Sequence, residues 1–225
     1  MNIISPDTPI KILVSAIPVI FSIVVHEVSH GWIAYKLGDD TAKRMGRLTL
    51  NPISHVDPLG TIILPLIMIM ARGPIFGWAK PVPFNPNNFN RSVNFRNGVM
   101  WVALAGPVSN LLLAFASSFI YIFINKYIST PSVTYSLISQ LLEAFISINI
   151  ILACLNLIPI PPLDGSKVLM RFLPAAYIPH FFKLERYGMM IVIILLATGV
   201  ISDIIITPIN YLYKLFILVP IFLLG

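Results

Sequence analysis

His26 and His30 stand four residues apart with Glu27 beside the first, in the run His26-Glu27-Val28-Ser29-His30. On a helix such a pair shares one face, so both imidazoles can offer a ring nitrogen to one divalent ion while the adjacent carboxylate takes a proton from a water held there. This is the geometry of zinc-dependent peptide hydrolysis. In a soluble protein the pattern often arises by accident on a surface. Here it closes an apolar run, Ile10 to Val25, whose one charge is Lys11. Ionisable groups near hydrocarbon are costly unless paired or ligated, and three within one turn call for a partner. A metal site is therefore preferred over satisfied structural histidines.

A catalytic zinc takes three protein ligands and keeps one position for water. The other histidines are His55 and His180, and the acids nearest apolar segments are Asp57, Glu143, Asp164, Glu185 and Asp203. Asp164 stands out because it follows the run Asn156-Leu157-Ile158-Pro159-Ile160-Pro161-Pro162-Leu163 and precedes Gly165. The prolines remove amide donors and break regular helix, and the glycine permits a tight backbone after the acid. A broken segment of this kind can turn a carboxylate inward. Equally, Asp164 could cap the helix that follows; spacing alone does not choose.

The elements that must position these groups are membrane helices. A chain of 225 residues that is 57% apolar and 11% charged has too little polar surface to cover a soluble domain of its size. The expected fold class is an all-α polytopic membrane protein of about five to six transmembrane helices. Residues 1–225 form a single domain, with a catalytic core over about 10–170 and C-terminal helices over about 187–224. Four stretches are long enough to span: Ile10 to Leu37, Gly98 to Ile124, Tyr135 to Leu157, and Tyr187 to Leu224, the last divided by Asp203 and Pro208. Leu59 to Ala71 is too short to cross alone. It reads as a re-entrant or partial helix returning through Gly73 to Pro86, which would wall the active site. Met1 to Pro9 lacks a basic n-region, so the first apolar segment is expected to be retained. The lone Cys154 offers neither a disulfide framework nor a thiolate-rich metal site.

Basic residues orient the chain, because cytoplasmic loops collect Lys and Arg. With the N-terminus outside, Lys36, Lys43, Arg44, Arg47, Arg72, Lys80, Arg91 and Arg96 fall on the cytoplasmic side, joined by Lys167, Arg171, Lys183 and Arg186. Lys11 and Lys126 fall opposite, and Lys214 lies in the last apolar stretch. The motif then faces the cytoplasm. The formal charge of +6 follows from this asymmetry without any nucleic-acid partner.

Two distant motifs, HEVSH in the first span and NLIPIPPLDG after a later one, resemble the site-2 protease family of intramembrane zinc metalloproteases. Asn51-Pro52-Ile53-Ser54-His55-Val56-Asp57-Pro58-Leu59-Gly60 and Ala105-Gly106-Pro107-Val108-Ser109-Asn110 resemble its compact members without a PDZ domain. The likeness covers roughly residues 20 to 170. It implies His26, His30 and Asp164 as ligands of one zinc per chain, and Glu27 as the base that takes a water proton and returns it to the leaving amine. It further implies membrane-protein substrates cut in or near a transmembrane segment.

Weaker candidates remain. Asn156 could orient the substrate backbone or make an interhelical hydrogen bond. His55 and Asp57 could support a metal-bound histidine from behind, though capping the turn around Pro58 is favoured. Asn110 reads as packing and His180 as interfacial. The segment Gly77 to Asn85 reads as extended, offering an edge to an unwound substrate or anchoring at the interface through Trp78 and Phe84. Two alternatives compete with proteolysis by this ligand set: a metal transporter or membrane zinc-binding scaffold, and a different multi-spanning zinc protease using Glu143 or Glu185 as third ligand.

Overall fold

A computed structural model of the chain describes residues 8–70, 79–128 and 132–225, and all regular structure among them is helical. Among the described residues four helices are long and apolar enough to cross a membrane: α1 (Thr8–Lys36), counted as a span from Val14, α4 (Phe95–Tyr127), α5 (Val133–Asn156) and α8 (Val200–Leu224). Between them lie α2 (Thr41–Arg44), α3 (Leu64–Met70), α6 (Asp164–Phe172) and α7 (Ile178–Ala197). Asn94 starts α4 by accepting the amides of Arg96 and Asn97, and Ser132 starts α5 by accepting that of Tyr135. Pro18 and Pro107 sit inside α1 and α4. Neighbouring helices make such prolines tolerable in apolar spans.

α1, α4 and α5 pack together as the centre of the bundle. Phe21 of α1 meets Phe145 of α5 edge to face at 5.9 Å. On its far side, α5 joins Ala114 of α4 in a core of Ile146, Ile150 and Cys154, against which Ile205, Ile209 and Phe216 of α8 lie. Most of each span's surface stays apolar and outward, as lipid requires.

The last apolar run is not divided at Asp203 and Pro208. The break falls at Gly199, whose φ of +81° suits a residue without Cβ. Asp203 lies in the first turn of α8, where a carboxylate complements the helix dipole, and Pro208 is accommodated within the helix.

Contacts fix where α7 and α8 run. Ile201 at the start of α8 packs with Ile158, just past the end of α5, while Lys126 at the end of α4 donates to the carbonyl of Leu224 at 2.9 Å. α8 thus traverses the bundle in the same sense as α4. α7 stays at the end where α5 finishes: Phe181 packs with Val99 and Met170, Gly188 lies against Pro161 and Pro162, and Val192 packs with Ile158. By length and composition α8 qualifies as a span and α7 does not, which gives four candidate spans among the described residues where five to six were expected.

The stretch expected to re-enter forms a π-helical turn (Pro58–Ile63) continued by α3. Together they extend about 20 Å at 1.5 Å per residue, short of a hydrocarbon core of about 30 Å. Its return through Gly73 to Trp78 lies outside the described residues, as does Ala71.

Candidate metal centre

His26 and His30 lie on the buried face of α1, and Asp164 is the first residue of α6. Gly165 explains how α6 reaches them: a Cβ there would run into the carbonyls of Leu157 and Ile158, so only glycine lets the first turn of α6 seat on the end of α5. Asp164 does not cap the helix. Leu163 occupies that position, and the carboxylate turns inward with its residue 6% exposed.

Three atoms converge. His26 Nε2 lies 3.0 Å from His30 Nε2, and Asp164 Oδ2 lies 3.1 and 3.2 Å from the two. What they share is settled by the other ring nitrogens. His30 Nδ1 lies 2.6 Å from the Val102 carbonyl, which can only accept, so Nδ1 carries the proton. His26 Nδ1 lies 2.6 Å from Asn110 Oδ1, and the Asn110 amide nitrogen is committed as donor to Ser22 O and Asn149 Oδ1. That oxygen accepts, and His26 Nδ1 also carries its proton. In the neutral rings both Nε2 atoms therefore present lone pairs, to each other and to a buried Asp164 Oδ2 that lacks a hydrogen-bond donor.

Three acceptors at 3.0–3.2 Å repel unless positive charge lies among them. Burial alone would raise the Asp164 carboxyl, yet hydrogen bonds and positive charge from the two imidazoles, once protonated, would pull it well below the usual carboxylate range. Protons or a metal could supply that charge. Ligands of a tetrahedral ion with bonds of roughly 2.0–2.1 Å sit about 3.3 Å apart, close to the spacing observed. The residues present fit a divalent cation.

Gly106 of α4 completes the cradle. A Cβ there would lie 2.5 Å from His26 Cε1 and 2.5 Å from His30 Nε2. The glycine lets the α4 backbone close against the two rings.

Glu27 faces the same cavity, of about 140 Å³, which Pro81, Val82, Phe84, Asn156 and Lys167 also line. Its Oε2 accepts the Val82 N–H at 2.8 Å. The Val82 segment is held from two further sides: Lys80 N–H donates to His55 O at 2.9 Å, and buried Arg47 donates to Lys80 O at 2.7 Å. Beyond it, Asn85 N–H and Asn88 Nδ2 donate to Asp39 at 2.6 and 2.9 Å. Burial would raise the Asp39 carboxyl, but hydrogen bonds from Thr41, Asn85 and Asn88 outweigh it and hold it below its ordinary value. The segment forms neither regular helix nor strand from Ala79 to Asn85. Its Lys80 and Val82 amides are engaged and Pro81 and Pro83 have none, so it walls the site rather than offering a row of free donors. Gly77 and Trp78 lie outside the described residues.

Several expected residues sit elsewhere. His55 Nε2 lies 2.8 Å from Thr49 O, and Asp57 Oδ1 accepts the amides of Leu59 and Gly60, each at 2.9 Å. They build the turn around Pro58, the reading favoured from the sequence, and do not support His26 or His30, whose partners are Asn110 and Val102 O. Asn156 donates back within its own helix to Leu152 O at 3.0 Å and lines the cavity, so its bond is not interhelical. Glu143 and Glu185 do not join the metal-ligand cluster found among the described residues, which is His26, His30 and Asp164. Asn110, read as packing, was signalled by its polarity within an apolar span. Lys167, read only as a topological charge, lies 3.8 Å from Asp164 Oδ1.

A bundle of apolar spans with a buried His-His-Asp cluster and an adjacent glutamate defines a membrane-embedded metallopeptidase type of centre. Peptidase family M50 matches the chain over residues 14–199, and the chain belongs to that family. It is 39% identical over 183 residues to a Bacillus subtilis protein named "Putative zinc metalloprotease YwhC", covering 81% of this chain and 79% of the relative. A Mycolicibacterium smegmatis protein named "Putative zinc metalloprotease Rip2" is 28% identical over 185 residues, covering 81% of this chain and 66% of its own length. A Mycobacterium tuberculosis protein of the same name is 28% identical over 148 residues, 66% of this chain and 52% of that one. No solved structure matches the chain.

Proposed function

We propose that this chain is an intramembrane zinc metalloprotease that hydrolyses peptide bonds in or near the transmembrane segments of other membrane proteins, as in regulated intramembrane proteolysis. The observation that carries the proposal is the convergence of His26 Nε2, His30 Nε2 and Asp164 Oδ2 as three mutual acceptors, with Glu27 facing the same cavity between apolar spans. These three residues would hold one Zn²⁺. When bound, that ion supplies Lewis acidity, lowering the pKa of a water to about 7 and polarising a carbonyl.

The chain's own residues do the rest. Glu27 takes the proton of the attacking water and delivers it to the leaving amine. The Val82 N–H fixes one of its oxygens, leaving the other for the water. The Nδ1 bonds to Asn110 and Val102 hold the two rings in the tautomer that keeps each Nε2 a ligand. Asn156 lines the cavity where a substrate backbone would lie. A substrate helix must unwind there, so helix-weakening residues near the cut favour cleavage. Glu27 also argues against metal transport or storage, which require no proton acceptor beyond the ligands.

In this proposal the N-terminus is outside the cell membrane. α1 and α5 run inward, α4 and α8 outward, and α7 lies at the cytoplasmic end beside the site. The helix over residues 58–70 re-enters from that side, and residues 1–225 act as one unit. The basic loops are then cytoplasmic, as the positive-inside rule requires.

The test is Glu27→Gln in proteoliposomes carrying a membrane-protein substrate captured by that same variant. Retained zinc with loss of peptide cleavage supports the proposal. Full cleavage by Glu27→Gln would remove the base, and passage of labelled zinc without any cleavage would favour transport.

A further inference from the structure

Glu143 sits ten residues from the start of α5 and thirteen from its end. At 1.5 Å per residue it lies about 15 Å from one end and about 20 Å from the other, near the middle of a hydrocarbon core of about 30 Å. Yet the residue is exposed. It lies at the edge of the α5–α8 contact, and a carboxylate exposed at that depth is expensive unless something meets it.

It is not alone on that face. Ser136, Gln140, Glu143 and Ser147 follow one another at spacings of four, three and four, which lines them along one seam of the helix. The first three are exposed and Ser147 is half-buried. The Gln140 amide donates to Ser136 Oγ at 3.0 Å, and Tyr213 of α8 lies close to Glu143. One hydroxyl does not neutralise a carboxylate. Among apolar spans, small and polar side chains in such a row are the composition of a helix–helix interface.

The seam is separate from the metal centre. Asn149, which touches the Asn110 that holds His26, lies six residues further along α5, about 9 Å nearer the site end. Phe145, on the other side of α5, carries the contact with α1.

We propose that this face of α5 docks a spanning helix of another membrane protein that presents a basic side chain at mid-depth, with Glu143 as its counter-charge and Gln140, Ser136 and Ser147 as flanking hydrogen-bond partners. Charge complementarity selects that occupant. A second copy of this chain related by a two-fold axis would set Glu143 and its neighbours against the same acidic seam, leaving the carboxylate without a cation.

The test uses the full-length protein in liposomes, donor-labelled, with acceptor-labelled 23-residue Leu/Ala helices bearing Lys, Leu or Glu at the centre. Energy transfer should show the Lys helix binding about three- to twentyfold tighter than the Leu helix, the range of interhelical polar contacts in membranes, and the Glu helix no tighter than Leu. Glu143→Leu should erase the preference for Lys, and Glu143→Gln should weaken it. Bound zinc and thermal midpoint report whether each variant is folded. Equal binding of the Lys and Leu helices, or a preference that survives Glu143→Leu, overturns the proposal. So does self-association of labelled copies of this chain that Glu143→Leu abolishes, which would make the occupant a second copy. None of these readings depends on peptide cleavage.

Discussion

Asn110 Oδ1 holds His26 Nδ1 at 2.6 Å, and the same side chain ties α4 to α1 through Ser22 O and to α5 through Asn149. One amide thus sets the tautomer of a ligand and joins the three central spans. Replacing Asn110 with Leu keeps the volume and removes both functions. We expect zinc affinity to fall about 10- to 100-fold, the usual cost of losing a partner behind a metal ligand. The thermal midpoint should fall modestly, since intramembrane hydrogen bonds average about 0.6 kcal/mol. Competition with a zinc-sensitive dye measures the first and thermal unfolding in detergent the second. Unchanged affinity would mean that His26 holds its ring without Asn110.

Gly106→Ala adds one methyl whose carbon would lie 2.5 Å from atoms of both His26 and His30. Neither ring can retreat far, because each is pinned at Nδ1. The variant should insert and fold as a helical membrane protein but bind zinc weakly or not at all. Metal analysis of purified protein decides this. Stoichiometric zinc in Gly106→Ala would show that α4 yields at Pro107.

How much of this was legible beforehand depended on the range of the interaction. HEVSH pointed to two candidate ligands and a candidate base because i,i+4 geometry is local, and Asp164 stood out because proline and glycine break helices locally. Asn110 was visible as a polar residue in an apolar span, but its partner is 84 residues away and no spacing rule reaches that far. His55 and Asp57 were legible in the favoured sense, as builders of the turn around Pro58, because an acid placed just before a proline caps the following amides locally. The last apolar run was divided at Asp203 and Pro208, residues that oppose helix on average. A dipole-favoured first turn accepts the former and apolar surroundings accommodate the latter, while Gly199 takes the left-handed turn.

Asp39 anchors the segment that walls the cavity, accepting from Thr41, Asn85 and Asn88. Its carboxyl is lowered in the fold, so it stabilises the protein fully above its unfolded pKa of about 3.9 and loses that contribution as pH falls through the lower folded value. Asp39→Asn should therefore cost about 1–3 kcal/mol at pH 7. The gap between wild type and variant should shrink below about pH 4. Denaturation in detergent at a series of pH values measures both, and a gap constant down to pH 2 would count against an ionised Asp39.

The 2.8 Å bond from Val82 N–H to Glu27 Oε2 couples the segment walling the cavity to the proposed base. It is a backbone bond, so Val82→Ala preserves it, whereas Val82→Pro deletes the donor within a run already flanked by Pro81 and Pro83. If the bond orients Glu27 for proton transfer, Val82→Pro should bind zinc normally and cleave about 10- to 100-fold more slowly, matching the loss of a hydrogen bond to a charged group. Val82→Ala should stay near wild type. The two variants differ mainly at one N–H, so their ratio isolates it from the side chain. A rise in the cleavage rate of Val82→Pro would reverse the sign: the segment would then restrain Glu27, and a substrate would have to lift it away before the base could act.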